Sequence, residues 1–259
     1  FTGHFNPITT RAQRLRFRFG IEDDLALLGH LDLMRLFDRA IRRAQLPISF
    51  TGGYHPGPRI VPANALSLGI TSSGEILDID LTEELDPEAV RNRLATELPD
   101  TLPLYSVEAI DVKGKAASQL LESATYEIEV EIAPISESDA SDDDSDTPNP
   151  VPAETPTVTI DTWQHWIDSV LAADSWEWEK LTKKKKKKVV DIRPWLLELA
   201  ILKDENSDNG VAAIKLKFTG LCRNDGTVLR PELIRWLLEK VSGQQLALKR
   251  IHRKLLMLT

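Results

Sequence analysis

Two histidines, an aspartate, a tyrosine and a group of arginines within the first sixty residues carry most of the chemistry this sequence offers. His30 and Asp32 stand two residues apart ahead of a helical pattern, and Tyr54, His55 and Arg59 follow in the segment Gly52-Gly-Tyr-His-Pro-Gly-Pro-Arg59. Imidazole exchanges a proton near neutral pH and guanidinium binds an oxyanion through paired N–H donors. If the glycine and proline loop bends back over the helix start, these groups converge on an anionic ligand. The alternative is that His30 and Asp32 only open the helix, Asp32 facing its positive end, and that the loop is a rigid connector.

Arg35, Arg39, Arg42 and Arg43 extend the positive charge along the same helix, and Arg14, Arg16 and Arg18 alternate with Leu15, Phe17 and Phe19 just before it. From Arg11 to Ile60 there are nine arginines and five acids, a local excess of four positive charges. Such a face suits phosphate contacts whose strength falls with salt, although a solvated helix face has the same composition. Arg250-Ile-His-Arg253 places His252 and Arg253 in a second small basic group near the end of the chain, where an edge strand kept soluble by charge is the plainer reading. The run Lys183–Lys188 reads as a solvated loop or as an arm that attracts phosphate. Trp163 and Trp166 fall on an apolar stripe and belong in a core more readily than on a base-stacking platform.

Composition narrows the field. The 259 residues are 42% hydrophobic, enough for a core, and 32 basic against 40 acidic residues give a net charge of −8. A uniformly basic nucleic-acid binder is excluded. Seven of the acids lie in residues 133–157, which hold no base, so the rest of the chain is close to neutral. The single cysteine, Cys222, rules out an internal disulfide, a cysteine zinc site and a three-cysteine iron–sulfur cluster within this sequence. Phosphate-loop and dinucleotide glycine motifs are missing, as are apolar runs near the roughly 20 residues that cross a bilayer. Phe1–Gln13 has no signal-peptide pattern, so a cytoplasmic location is expected, with the chain beginning as a fragment of a longer one.

The elements that must position these groups follow from periodicity. Arg14–Phe19 has the alternation of a half-buried strand with its arginines on an outer, strongly positive face. Leu33, Met34, Phe37, Ala40, Ile41 and Ala44 mark a helix within Gly29–Ala44. A strand is expected near Ile60–Ile70, Thr71–Gly74 reads as a hairpin turn into a strand at Glu75–Leu81, Asp86 and Pro87 open a second helix, and Leu104–Val112 is a strand. The second half repeats the order: Thr125–Ile132, a helix at Asp161–Ala173, strands near Val189–Leu202 and Val211–Thr219, a helix opened by Pro231 and ended by Gly243, and a last strand at Gln245–Leu258. The expected fold class is α+β, with tandem ferredoxin-like βαββαβ units, antiparallel sheets with helices on one face, and one larger sheet as the competing layout. Residues 1–13 form a linker, 14–115 the first unit and 116–259 the second, interrupted by an acidic insertion at 136–157 too polar to order.

Leu28-Gly-His-Leu-Asp-Leu-Met-Arg-Leu-Phe-Asp-Arg-Ala-Ile-Arg-Arg-Ala44, Gly53-Tyr-His-Pro-Gly-Pro-Arg-Ile60 and Leu66-Ser-Leu-Gly-Ile-Thr-Ser-Ser-Gly-Glu75 closely resemble the radical-SAM-linked domain family of unknown function. Val190-Asp-Ile-Arg193, Leu229-Arg-Pro-Glu232 and Arg250-Ile-His-Arg253 extend the resemblance over most of the chain. Gly29, Gly57 and Ser67 depart from the usual Ser, Arg and Pro. The resemblance implies a radical SAM protein as partner, fused or separate, and leaves the iron–sulfur cluster, S-adenosylmethionine and cobalamin to that protein, with none in this chain. It places His30, Asp32, Arg35, Arg39, Arg42, Arg43, His55, Arg59, Arg230, His252 and Arg253 on motif positions. The expected function is an accessory domain that binds structured RNA, transfer or ribosomal, through these residues and Tyr54 and presents it for modification. The alternatives are a metal-independent ribonuclease using His30 and His55 as acid and base, and a protein-docking module for the radical SAM core.

Overall fold

Alternation of arginine with leucine and phenylalanine produces the first strand, β1 (Gln13–Ile21), in the computed structural model, which describes residues 7–133, 158–181, 187–202 and 213–259. After a short 3-10 turn at Asp23–Leu27 come α1 (His30–Arg43), β2 (Ile60–Pro62), β3 (Thr71–Leu81), α2 (Pro87–Ala95), β4 (Leu104–Ile110), the single turn α3 (Ala117–Leu120) and β5 (Leu121–Ile132). The chain continues through α4 (Ile160–Ala172), β6 (Glu177–Leu181), β7 (Lys187–Asp191), β8 (Leu196–Ile201), β9 (Ala213–Leu221), α5 (Pro231–Ser242) and β10 (Leu246–Leu258). The fold is mixed α+β, a mostly antiparallel multi-stranded sheet with helices. The acidic insertion and Lys183–Lys186 lie outside the described residues.

Two compact units divide the chain: Phe1–Tyr126 with Leu221–Val228 and Ile251–Thr259, and Glu127–Gly220 with Leu229–Arg250. The division differs from a simple halving, since residues 116–126 and 251–259 belong with the first unit. Strands β5, β9 and β10 therefore contribute residues to both.

In the first unit the strand order is β4-β1-β3, with β2 on the far edge of β3, and all three pairings are antiparallel. Leu15, Phe17 and Phe19 form the floor under Leu33, Phe37, Ala40 and Ile41 of α1, with Val90 and Leu94 of α2 beside them. Phe19 and Phe37 meet edge to face at 5.2 Å. Asp86 caps α2 by accepting the Ala89 N–H at 2.9 Å, and Pro87 occupies the first turn, where its missing donor costs nothing. In the second unit the order is β10-β5-β9-β8, with α4 and α5 burying Trp163, Ile167, Val170, Ile234, Leu237 and Leu238. Gly243 ends α5 at φ 68°, the left-handed geometry that suits a residue without Cβ.

Three local expectations are corrected. Thr71–Gly74 is the opening of β3 and makes no hairpin turn. The chain reverses earlier, at Gly69 with φ +80°, and β3 then pairs in parallel with β10 through His252↔Thr71 and Arg253↔Ser72. The strand expected over 60–70 stops at Pro62, after which Ala63 donates to Ile76. A hairpin absent from the sequence reading, β6 with β7, takes up the end of the lysine run, where Lys187 pairs with Glu179 at 2.7 Å.

Gly74 shows why β3 begins where it does. A Cβ there would lie 2.3 Å from the Lys254 carbonyl oxygen and 2.4 Å from Leu255 Cα, both backbone atoms that cannot move aside. We expect Gly74→Ala to cost about 3 kcal/mol of unfolding free energy through overpacking, measured by urea denaturation of the full chain. An unchanged midpoint would mean that the two strands lie farther apart.

Candidate nucleic-acid interface

The arginines of β1 do not form an exposed positive face, which corrects the sequence expectation. Arg14 and Arg16 are buried on the sheet face opposite α1, where β3 places an aspartate across from each. Arg16 binds Asp78 through two bonds of 2.8 and 3.0 Å, and Arg14 binds Asp80 at 2.6 and 3.2 Å. Arg11 adds a third contact to Asp80 at 2.6 Å, and Asp78 also accepts the Ala117 N–H at 2.7 Å. The hydrogen bond that Arg14 donates to Asp80, opposed by burial, raises Arg14 above the ordinary guanidinium value. A guanidinium covered by protein needs a counter-charge, and the sequence signal for these partners was the alternation Asp78-Ile-Asp80 on the neighbouring strand. Arg18 is half-buried and donates to the Leu256 carbonyl at 3.4 Å.

Arg253 is occupied in the same way on the α1 side of the sheet. It is 1% exposed and forks onto both oxygens of Glu75, the Nε bond measuring 2.7 Å. Ser72 donates to the same carboxylate at 2.6 Å, and Asn64 accepts from Arg253 at 3.2 Å. Burial opposes the Arg253 charge, but Glu75 and Tyr126 outweigh it and hold the group above its ordinary value. His252, one residue earlier and half-buried, has Thr71 Oγ1 at 2.9 Å from Nδ1 and Ser73 Oγ at 2.9 Å from Nε2. Both residues thus join β10 to β3.

The four arginines of α1 do remain at the surface. Arg35, Arg39, Arg42 and Arg43 fall at helical spacing on the side of α1 away from its core residues, and all are exposed. Arg35 pairs with Asp32 at 2.8 Å, Arg42 with Asp38 at 3.0 Å and Arg43 with Glu97 at 2.8 Å, while Arg39 makes no hydrogen bond or ion pair among the described residues. Exposed pairs of this kind are worth ~0–1 kcal/mol, so an incoming phosphate can displace the carboxylate. Arg39 and Arg43 also border an open groove completed by Leu36, Thr96, Glu97, Leu98 and Pro99.

The loop after α1 is closed tightly at its base. Phe50 bridges Pro58, Thr51 N–H donates to the Gly57 carbonyl at 2.8 Å, and Gly57 N–H donates to Thr51 Oγ1 at 2.9 Å. Arg59 donates to the Phe50 carbonyl at 3.0 Å, and the Arg42 guanidinium lies 5.9 Å above the Phe50 ring. Both arms of the loop are held by the Asp80 backbone, which accepts from Ser49 at 2.8 Å and donates to Arg59 at 3.1 Å. At the tip, Tyr54 is 93% exposed and packs edge to face on the exposed His55 at 4.8 Å.

This geometry roots the loop away from the helix start. Phe50, the root of the loop, sits under Arg42 in the last turn of α1, whereas His30 opens the first turn. Fourteen residues at ~1.5 Å each put about 20 Å of helix between the two ends. His30 instead borders a cavity of about 20 Å³ beside Phe19, Leu33, Asn64 and Glu75, room for one water molecule and none for a phosphate. The loop is thus rooted at the opposite end of α1 from His30. Among the described residues no group of three or more His, Cys, Asp or Glu side chains could hold a metal ion, and no helix is long and apolar enough to cross a membrane.

Residues 14–231 match the family described as "Uncharacterized protein conserved in bacteria (DUF2344)". The chain belongs to this family. The matched span of DUF2344 takes in α1, the glycine and proline loop and the Asp78 and Asp80 positions, and ends as α5 begins. No curated protein matches this DUF2344 chain. Among solved structures it is similar to a chain in "Crystal Structure of a Cbf5-Nop10-Gar1 Complex", with a TM-score of 0.45 and 11% identity over 93% of this chain and 48% of that one. It is also similar to "Crystal Structure of an Unknown Protein from Galdieria sulphuraria", with a TM-score of 0.25 and 13% identity over 92% and 97% of the respective chains. This chain thus spans about half the length of the first of these.

The buried and surface arginines should separate cleanly in stability. Arg253→Met leaves Glu75 buried without its partner and is expected to cost about 3–5 kcal/mol, with Glu75→Met in the same chain recovering most of the loss. Arg39→Ala should stay within ~0.5 kcal/mol of the parent. Urea unfolding of the three variants checks this; a large loss in Arg39→Ala, or none in Arg253→Met, would contradict the assignment.

Proposed function

We propose that this chain is an RNA-binding accessory domain that holds structured RNA, transfer or ribosomal, through the arginine stripe of α1 and presents it to a radical SAM enzyme in the cytoplasm. The observation that carries this reading is the set Arg35, Arg39, Arg42 and Arg43, exposed on one helix face beside an open groove, while Arg11, Arg14 and Arg16 are spent on buried aspartates. A flat row of guanidiniums contacts phosphate and sugar and reads little sequence, which suits a domain that positions a substrate for another active site. In this reading the iron–sulfur cluster, S-adenosylmethionine and cobalamin belong to the partner, as the family resemblance implies. We also infer that the strand orders β4-β1-β3-β2 and β10-β5-β9-β8 are two ferredoxin-like repeats, since each places its first and third strands in the middle and its fourth and second at the edges.

A second reading, docking onto the radical SAM protein, is favoured by one observation: Leu27, Leu31 and Leu68 are 71%, 69% and 65% exposed, and Gly69 donates to the Ala26 carbonyl at 2.8 Å, setting Leu68 beside Leu27. Here the test is co-purification with a co-expressed radical SAM protein after nuclease treatment. Retention that is lost in the Leu27→Ser, Leu31→Ser double variant would favour docking.

For the RNA reading, four phosphate contacts on a single strand correspond to a slope of log K against log salt of about −3, or roughly a fifty-fold loss between 50 and 200 mM. Reversing two charges, Arg39→Glu with Arg43→Glu, should weaken binding and flatten the slope by about 1.4. Anisotropy titration of the full chain across salt measures both quantities. Salt-independent affinity, or an unaltered slope in the double variant, would remove the proposal.

A further inference from the structure

We propose that Tyr54 and His55 form a stacking finger that takes an unpaired nucleobase, so that the RNA target is a loop, bulge or end and not a continuous duplex. This rests on the RNA-binding reading above and adds the class of nucleotide recognised. A tyrosine ring is large enough to bury 150–250 Å² and is a costly group to leave in water. Tyr54 is nonetheless 93% exposed and contributes no packing to the core of its unit.

The loop holds that ring out by construction. Gly53 adopts φ +107°, which a side chain would resist, and Pro56 and Pro58 each fix a backbone angle. The Phe50 bridge to Pro58 and the paired Thr51 and Gly57 contacts close the base, so little ordering entropy remains to be lost on binding. The two rings stand 83° apart, which presents ring faces in two directions. Arg42 and Arg59 flank the root at Phe50, and Arg39 lies one turn back from Arg42 and Arg43 on the same helix. A backbone held on the arginine stripe could thus deliver a base to the tip. Bases inside a duplex are already stacked and have no free face to offer, whereas splayed bases stack readily on aromatic side chains.

The test titrates the full chain with three fluorescent probes: a single-stranded RNA decamer, the same sugar–phosphate chain lacking its central bases, and a blunt RNA duplex. We expect the decamer to bind about ten-fold more tightly than the abasic chain and the duplex. Tyr54→Ala should lose that ten-fold on the decamer alone, Tyr54→Phe and Tyr54→Trp should restore it, and a 2-aminopurine base in the decamer should be quenched by the parent and not by Tyr54→Ala. Equal, salt-dependent binding of decamer and abasic chain, or a decamer affinity untouched by Tyr54→Ala, would overturn the finger and leave the arginine stripe standing. Absence of salt-dependent binding to any probe would overturn the stripe and the finger together.

Discussion

A guanidinium that is cut off from water must have a carboxylate beside it, and this requirement organises the first unit. Three arginines meet it: Arg14 with Asp80, Arg16 with Asp78 and Arg253 with Glu75. All three acids stand on β3, so that one strand neutralises β1 and the last strand of the chain. Losing either partner would leave a buried charge uncompensated, far more costly than the loss of an exposed pair. The pairings therefore specify which strands lie beside β3 and in which register.

Asp80 connects this charge pairing to the surface. Its carboxylate receives Arg11 and Arg14, while its backbone holds Ser49 and Arg59 at the two arms of the glycine and proline loop. The same residue that settles the charge of β1 also fixes where the loop is rooted. Phe50 then falls under the last turn of α1, so that Arg42 and Arg59 stand at the root of the loop, while His30 opens the far end of the helix beside a small cavity. The arginines divide accordingly into a buried set that stabilises and an exposed set on α1 that is available to a ligand.

Much of this was legible in the sequence. The alternation of β1, the helical stripe of α1, the Asp86 and Pro87 start of α2 and the Gly243 stop of α5 are local patterns, each written in residues close together in the chain. Where reading failed, partners were distant. Thr71–Gly74 has the composition of a turn, yet the backbone at Lys254 and Leu255, about 180 residues away, lies against Gly74 and draws these residues into a strand. A strand was expected from Val189, but its partner β6 was not, because Glu177–Leu181 alternates charge with Trp178 and Leu181 over only five residues.

Residue type and near-neighbour spacing suffice for most of the helices and strands, for the concentration of arginine between Arg11 and Ile60, and for the stiffness of the loop that carries Tyr54 and His55. Which arginines stay exposed was set by long-range packing. An arginine next to alternating apolar residues looks the same in sequence whether the opposite sheet face is wet or covered, and the difference lies in Asp78 and Asp80, more than sixty positions away. Where the loop that carries His55 is rooted was likewise set by the distant backbone of Asp80, which anchors its two arms.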